Sequence, residues 1–163
     1  MTSRMIDVTE APILVVEDSD DDFDTLRRAV GAAGVKRYLH RAASGGDCLE
    51  LLLGERAASG KRGEGNVALP LRPMLILMDL NSHGVDGREA LVIIKADTRL
   101  NKIPLVVLTT SADPKDVVFC YRSGANAYHI KPVRHDHNLL LLRSLLNYWL
   151  GSATLPSTLV KVH

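Results

Sequence analysis

Acidic residues crowd the segment directly behind the apolar run Ile13 to Val16, with six carboxylates among residues 17–24. Calcium loops, helix starts and magnesium sites all use acids, but at different spacings. Counted from Asp18, the acids at positions one, three and five fit an EF-hand loop, yet Phe23 stands where that loop needs glycine and Ala29 where it needs glutamate. The spacing therefore disfavours a calcium loop and leaves a helix start or a magnesium site.

Polar residues also follow the other apolar runs of the chain. Glu17 and Asp18 follow the first run, and three further residues end or follow later ones: Asp79, Thr109 and Lys131. Since the carboxyl ends of parallel strands meet at one edge of a sheet, we expect these side chains to converge in one crevice. Carboxylates there would bind Mg²⁺, which prefers oxygen ligands, and the lysine would neutralise charge on a phosphoryl group that a carboxylate attacks.

Alternating strand and helix patterns must position these residues. Apolar runs predict strands at residues 13–16, 38–42, 74–78, 105–108 and 127–130, and an apolar period of 3.6 residues predicts a helix after each of them. Right-handed crossovers between parallel strands place helices on both faces of the sheet. The predicted fold is therefore α/β, a doubly wound parallel sheet of five strands with five helices.

The later acids of the first segment have a simpler interpretation as a helix start. Ser19 followed three residues later by Asp22 predicts a capping box. Asp20, Asp21 and Asp22 are then helix-start acids rather than metal ligands, and the helix dipole stabilises each by about 0.3–1 kcal/mol. Asp24 is expected to be solvated.

The composition indicates one globular domain without a pronounced overall charge. The chain has 163 residues, 46% of them hydrophobic, and 20 basic against 19 acidic residues give a net charge of +1. This balance provides no field that would attract nucleic acid or anionic lipid, and we expect a cytoplasmic protein because neither a leader nor a membrane-spanning stretch is apparent. Cys48 and Cys120 lie far apart in apolar-periodic segments, and we expect both to be buried and reduced.

The domain is expected to span residues 12–150, between an N-terminal extension of residues 1–11 and a C-terminal tail of residues 151–163. Residues 54–73 are rich in glycine, proline and charge, so they predict a long surface loop within the domain. The last predicted helix carries leucines around most of its circumference, and the tail adds three more apolar residues, Leu155, Leu159 and Val160. This surface is either a core helix with a frayed tail or a dimer interface, and we favour the dimer interface.

Four segments carry a resemblance to a known family. They are "VVEDSDDD", "LILMDLNSHGVDGREAL", "IPLVVLTTSA" and "GANAYHIKPV". In this order they resemble the receiver domains of two-component response regulators, and from Asp79 onward they also have the family's spacing. The resemblance covers roughly residues 12–150 and implies a flavodoxin-like sheet with the strand order 2-1-3-4-5.

The resemblance implies a phosphorylation site with a bound metal ion. Asp79 would become the phosphoaspartate. Asp18 would ligate Mg²⁺ directly, Glu17 would orient a metal-bound water, and the backbone carbonyl of Asn81 would supply a further ligand. Such a protein phosphorylates and dephosphorylates only itself and is not an enzyme for outside substrates, and the absence of the D-x-D pattern of aspartyl-phosphate phosphatases agrees with this.

The resemblance also implies a conformational switch. Lys131 would pair with the phosphoryl oxygens, and its bond to Pro132 is expected to be cis. Thr109 would hydrogen-bond the phosphoryl group, and Tyr128 would turn inward behind it. The change would be read on the surface formed by the fourth helix, the fifth strand and the fifth helix, which is also the expected surface of a homodimer together with the tail.

The sequence departs from the family pattern at Ser82 and His83, where the family commonly has an apolar residue and proline. Loss of the proline should loosen the loop that bears a metal ligand. Our hypothesis is that His83 tunes the lifetime of the phosphate, and an unchanged dephosphorylation rate in His83→Pro would count against it.

The resulting interpretation is a stand-alone response regulator that accepts a phosphoryl group from a histidine kinase. The acidic start, the long loop, "DGREAL", "VVLTTSA" and the extended C-terminus resemble the small regulators associated with bacterial phytochromes, so a bacteriophytochrome is the expected type of kinase. Two alternatives stay open at this point. One is a phosphorelay intermediate that passes its phosphoryl group to another histidine, and the other is an interaction module that keeps the fold without being phosphorylated.

Overall fold

A computed structural model describes residues 11–54, 70–81 and 86–158. Its sheet consists of β1 (Ile13–Val16), β2 (Leu39–Ala42), β3 (Leu75–Met78), β4 (Leu105–Thr109) and β5 (Ala127–Ile130). The strands are all parallel and lie in the order β2-β1-β3-β4-β5. The predicted strand order and the predicted doubly wound sheet are both confirmed.

The helices of the described residues begin and end close to the predicted positions. They are α1 (Asp20–Ala32), α2 (Gly45–Leu53), α3 (Gly87–Ala96), α4 (Pro114–Arg122) and α5 (His135–Asn147), followed by a π-helical turn, Tyr148–Ser152, and a 3-10 turn, Pro156–Thr158. Four of the five helices have an N-cap residue whose side chain accepts a hydrogen bond from a backbone N–H. These N-cap residues are Ser19, Ser44, Asp86 and Asp113. These caps explain why the helices begin directly after the polar segments at the strand ends.

Successive side chains of each strand alternate between two hydrophobic cores. Leu14 and Val16 of β1 belong to the core under α2, α3 and α4. Ile13 and Val15 belong to the core under α1 and α5. Because both faces of the central strands are covered, they appear in the sequence as continuous apolar runs rather than as alternating ones.

Both cysteines are buried free thiols, as expected. Burial raises the pKa of Cys48 to about 12 and that of Cys120 to about 11. Neither thiol lies at the edge of the sheet where the polar residues gather, since both pack in the core under α2, α3 and α4. They contribute to packing as small apolar side chains.

The tail packs against its own domain as far as Leu155. This residue is only 3% exposed and belongs to the core under α1 and α5, together with Leu142 and Leu146. The expectation that Leu155 adds to a surface for a second copy was therefore wrong, because the chain turns back after α5 and buries it. Leu159 and Val160 lie outside the described residues.

Several other sequence expectations fall on parts of the chain that the structure does not describe. These are the extension up to residue 10, most of the predicted surface loop, at residues 55–69, and the segment of residues 82–85 with Ser82 and His83. Across the described ranges, no helix combines the length and the apolar character needed to cross a membrane.

Candidate functional site

The carboxyl ends of the strands bring the predicted polar residues together at one edge of the sheet. Val16 pairs with Met78, so that Glu17 and Asp79 follow neighbouring strands at the same level. Thr109 ends β4 and pairs with Ile130, which places Lys131 directly beyond it. The sheet register therefore explains the convergence of Glu17, Asp79, Thr109 and Lys131.

Lys131 is the centre of the site. Its Nζ donates hydrogen bonds to Glu17 Oε2 at 2.6 Å, to Asp22 Oδ2 at 2.9 Å and to Asp79 Oδ2 at 2.9 Å. Its side chain is only 8% exposed. Burial disfavours the charged ammonium, but the bonds to Asp79 and Glu17 outweigh that effect and raise the pKa of Lys131 above its ordinary value. The lysine therefore remains a cation under all ordinary conditions.

The bond between Lys131 and Pro132 is trans, whereas the resemblance implied a cis bond. A bond before proline favours the trans isomer by about 0.5–1 kcal/mol. With this isomer the Lys131 ammonium contacts all three carboxylates, so the observed site does not require the cis form.

The predicted capping box forms only by half. Ser19 Oγ accepts a hydrogen bond from the Asp22 N–H at 3.2 Å, as expected. The reciprocal bond is replaced, because the Ser19 N–H donates to Glu17 Oε1 at 3.1 Å and the Asp22 carboxylate turns to Lys131 instead. Because its carboxylate bonds to Lys131, Asp22 is a site residue, which the sequence interpretation missed. Burial raises the pKa of Glu17, against the lowering effect of its bond with Lys131.

Three carboxylates form a candidate metal site. One oxygen each from Glu17, Asp22 and Asp79 lies within 4.8 Å of the others. A donor set made only of oxygens suits a hard divalent cation such as Mg²⁺ or Mn²⁺. Three formal negative charges and the single positive charge of Lys131 leave a charge of −2, which a divalent cation would balance. When bound, such a cation supplies charge neutralisation for phosphoryl oxygens.

Asp18, the predicted direct ligand, is not part of that group of oxygens within the described residues. Its side chain is half-buried and next in the chain to Glu17, so its role as a ligand stays a prediction. The same holds for the carbonyl of Asn81. The sequence pointed to Asp22 only through its place in the first turn of α1, which begins at this edge of the sheet.

Hydrogen bonds hold both the backbone and the side chain of Asp79. The backbone N–H of Asp79 donates to Val16 O at 2.9 Å, and the side-chain Oδ1 of Asp79 accepts from the Asn81 N–H at 3.0 Å. Gly87, at the start of α3, packs against the same backbone: a Cβ at this position would lie 2.6 Å from Asp79 O and 2.9 Å from Leu80 Cα. Glycine is therefore required where α3 meets the end of β3.

Thr109 and Tyr128 are linked through one residue of the loop after β4. Thr109 is fully buried, and its Oγ1 accepts hydrogen bonds from Asn81 Nδ2 at 3.2 Å and from the Ser111 N–H at 3.5 Å. The Tyr128 hydroxyl donates to Ser111 O at 2.8 Å. The Tyr128 ring is half-buried against the core under α2, α3 and α4, and burial raises its pKa. Ser111 therefore bonds to both side chains, through its N–H to Thr109 and through its carbonyl to Tyr128.

Arg41 of β2 is a further residue of the site that the sequence did not reveal. Its Nε donates to Glu17 O at 2.9 Å, and its Nη1 donates to Asp20 Oδ1 at 2.6 Å. The guanidinium also lies over the Phe23 ring, 5.0 Å from its centre. Arg41 thereby holds the backbone of the β1-α1 junction, and only its position in an edge strand could have marked it in the sequence.

Known proteins with a similar sequence and structure share this architecture. Residues 13–143 match the response regulator receiver domain. The response regulator Rcp1 of Synechocystis sp. is 32% identical over 145 residues, which cover 89% of this chain and 92% of Rcp1. The crystal structure of the phosphorylated cyanobacterial phytochrome response regulator RcpA superposes with a TM-score of 0.79 at 32% identity, over 90% of this chain and 99% of RcpA. That of the Mn²⁺-bound form of Rcp1 gives a TM-score of 0.78 at 31% identity, again over 90% of this chain and 99% of the other.

These matches extend over nearly the full length of the relatives. The chain belongs to the family of response regulator receiver domains.

Proposed function

We propose that Asp79 accepts a phosphoryl group from a histidine kinase in the presence of Mg²⁺. The observation that carries this proposal is the position of the Asp79 carboxylate: its Oδ2 lies 2.9 Å from the Lys131 ammonium, and one of its oxygens lies within 4.8 Å of carboxylate oxygens of Glu17 and Asp22. Two relatives support it, one described in its phosphorylated form and one in its Mn²⁺-bound form.

The residues of the chain would act in distinct ways. An Asp79 carboxylate oxygen attacks the phosphorus of a phosphohistidine, so that a P–O bond forms while the P–N bond breaks and the imidazole leaves with the electron pair. Lys131 faces the oxygens that gain charge, and the buried Thr109 hydroxyl can donate to one of them once the phosphoryl group is present. Glu17, Asp22, Asp18 and the Asn81 carbonyl are the candidates for holding Mg²⁺ beside Asp79.

Incubation with Mg²⁺ and acetyl phosphate tests this proposal. The wild type should gain the mass of one phosphoryl group by intact mass spectrometry, and Asp79→Asn should gain none because an amide oxygen is a poor nucleophile. Asp113→Asn, at the N-cap of α4, is the matched control and should be phosphorylated like the wild type. A wild type that gains no phosphate with Mg²⁺ present would contradict the proposal and favour an interaction module without phosphorylation.

We propose that phosphorylation is read through Thr109 and Tyr128. An aspartyl phosphate adds about two negative charges beside Thr109 and attracts its hydroxyl. That movement changes the bonds at Ser111, whose carbonyl holds the Tyr128 hydroxyl. The backbone N–H of Tyr128 donates a hydrogen bond to the Tyr121 hydroxyl of α4 at 3.2 Å, so the change would reach the surface of α4, β5 and α5.

This surface is the proposed contact between two copies of the chain. It exposes large apolar side chains from all three elements and from the π-helical turn after α5, among them Phe119, Ile130, Leu140 and Tyr148. β5 is also the edge strand of the sheet, so the surface is not covered by another strand. The kinase we propose is a bacteriophytochrome, because RcpA is a phytochrome response regulator.

Sedimentation velocity over a range of concentrations tests the dimer. Tyr148→Asp places a charge in the groove between β5 and α5 and should weaken self-association at least about tenfold. Tyr38→Asp, the same substitution on a 70% exposed residue at the opposite edge of the sheet, should leave it unchanged. A wild type that sediments as a monomer at every concentration, with and without acetyl phosphate, would rule the dimer out.

A further inference from the structure

A small cavity lies behind the carboxylates of the site. Its volume is about 20 Å³. Apolar side chains from the central strands, α1 and α5 form most of its wall, and its polar wall consists of Glu17, Asp22, Asp79, Lys131 and Asn138. The cavity therefore joins the carboxylate site to the start of α5.

Asn138 is the unexplained member of this wall. Its Oδ1 is buried and is the one such side-chain atom of the described residues that has no hydrogen-bond partner. Buried polar atoms are nearly always paired, since an unpaired one loses its bonds to water without replacement. An apolar residue would fill this position of α5, beside Leu142, at no such cost.

Lys131 makes no hydrogen bond to Asn138. An ammonium group has three N–H donors, and those of Lys131 are engaged by Glu17, Asp22 and Asp79. Asn138 Oδ1 belongs to the same polar wall and receives none of them, and Lys131 is the only cation of that wall. An N–H of Lys131 that left one carboxylate would therefore have Asn138 Oδ1 as an alternative acceptor.

We infer that Asn138 is a positioning residue that receives Lys131 when a carboxylate is withdrawn from it. The inference rests on the proposed function, because a Mg²⁺ ion held by the three carboxylates would compete with Lys131 for their oxygens. An N–H of Lys131 then turns to Asn138 Oδ1 instead of being left unpaired in a buried place. Asn138 thereby makes the exchange of the ammonium for a divalent cation easier, at the expense of stability in the metal-free protein.

Asn138→Leu, which fills the cavity without an acceptor, tests the inference first through Mg²⁺ affinity measured by calorimetry. The variant should bind Mg²⁺ about tenfold more weakly than the wild type. It should at the same time have a higher urea midpoint in EDTA, because the unpaired oxygen is gone. Asn138→Asp keeps an oxygen at the same place and should bind Mg²⁺ at least as tightly as the wild type.

A second readout needs no metal. Asp79→Ala removes one acceptor of Lys131, so Asn138 should then be bonded to the freed N–H. Asn138→Leu should therefore raise the urea midpoint in the wild-type background but lower it in the Asp79→Ala background, both measured in EDTA.

Two failures are distinguishable. A wild type that binds no Mg²⁺ and gains no phosphate overturns the proposed function, and this inference with it. A wild type that does both, with Asn138→Leu equal to it in Mg²⁺ affinity and shifting both backgrounds alike, overturns only the role of Asn138 and leaves its Oδ1 as a structural feature of α5.

Discussion

Replacing Lys131 by methionine is expected to destabilise the metal-free protein by about 3–5 kcal/mol, the usual result of removing one partner of a buried ion pair. The side chains of Glu17 and Asp79 are only 7% and 11% exposed, and without the ammonium they would face each other and Asp22 uncompensated. Mg²⁺ should bind this variant more readily than the wild type, because no cation has to be displaced. We therefore expect Mg²⁺ to restore most of the lost stability in urea unfolding experiments.

Lys95→Met is the matched control for this experiment. Lys95 also makes three hydrogen bonds, but its acceptors are neutral: the carbonyls of Asn101 and Ile103 and the amide oxygen of Asn126. Its replacement should lower stability equally with Mg²⁺ and with EDTA. If Lys131→Met behaves in this same way, the carboxylates do not depend on Lys131 for their charge balance. Phosphorylation by acetyl phosphate should also slow in Lys131→Met but not in Lys95→Met.

Gly87→Ala is expected to impair both folding and phosphorylation. The added Cβ would lie 2.6 Å from Asp79 O and 3.2 Å from Leu80 O, well inside van der Waals contact with atoms of the backbone. Overpacking of this kind typically costs about 1–3 kcal/mol. Since α3 or the end of β3 must move, the Asp79 carboxylate should be misplaced, and a displacement near 1 Å can slow phosphorylation about 100-fold.

Gly31→Ala provides the control for the glycine substitution. Gly31 lies within α1, and a Cβ there meets no atom within 4 Å. This variant should be stabilised by about 0.4–1 kcal/mol, because alanine loses less conformational freedom on folding than glycine. Urea unfolding and the acetyl phosphate assay, applied to both variants, separate the close contact at Gly87 from the general effect of the substitution. Wild-type stability and phosphorylation in Gly87→Ala would show that the backbone can accommodate the methyl group.

The sequence predicted the sheet well because its pattern reflects burial. The runs that became β1, β3 and β4 are apolar throughout, as strands covered on both faces must be. β2 and β5 are edge strands with partly exposed residues, and their sequences LHRA and AYHI carry a weaker signal. The path of the chain after α5 could not be predicted, because the burial of Leu155 depends on a turn without a strong sequence signature.

The site was predictable to the extent that strand ends define it. Glu17, Asp79, Thr109 and Lys131 follow apolar runs, so their convergence follows from the sheet alone. Asp22 was not predictable, since the first turn of a helix suits both a cap and a site residue. The choice depends on Lys131, which lies 109 positions further along the chain. Arg41 and Asn138 were missed for the same reason, because their roles consist of contacts with distant segments.

The long sequence separation between Lys131 and the acids that it bonds also has a consequence for biosynthesis. The three acids that it holds are translated early, the first of them 114 positions before the lysine. A nascent chain that has not yet emerged beyond β5 therefore carries these carboxylates without their ammonium, and their mutual repulsion opposes the docking of β1 beside β3. We therefore expect the central pair of strands to gain stability when β5 arrives, and an incomplete chain on the ribosome should not yet have the arrangement of three carboxylates around Lys131.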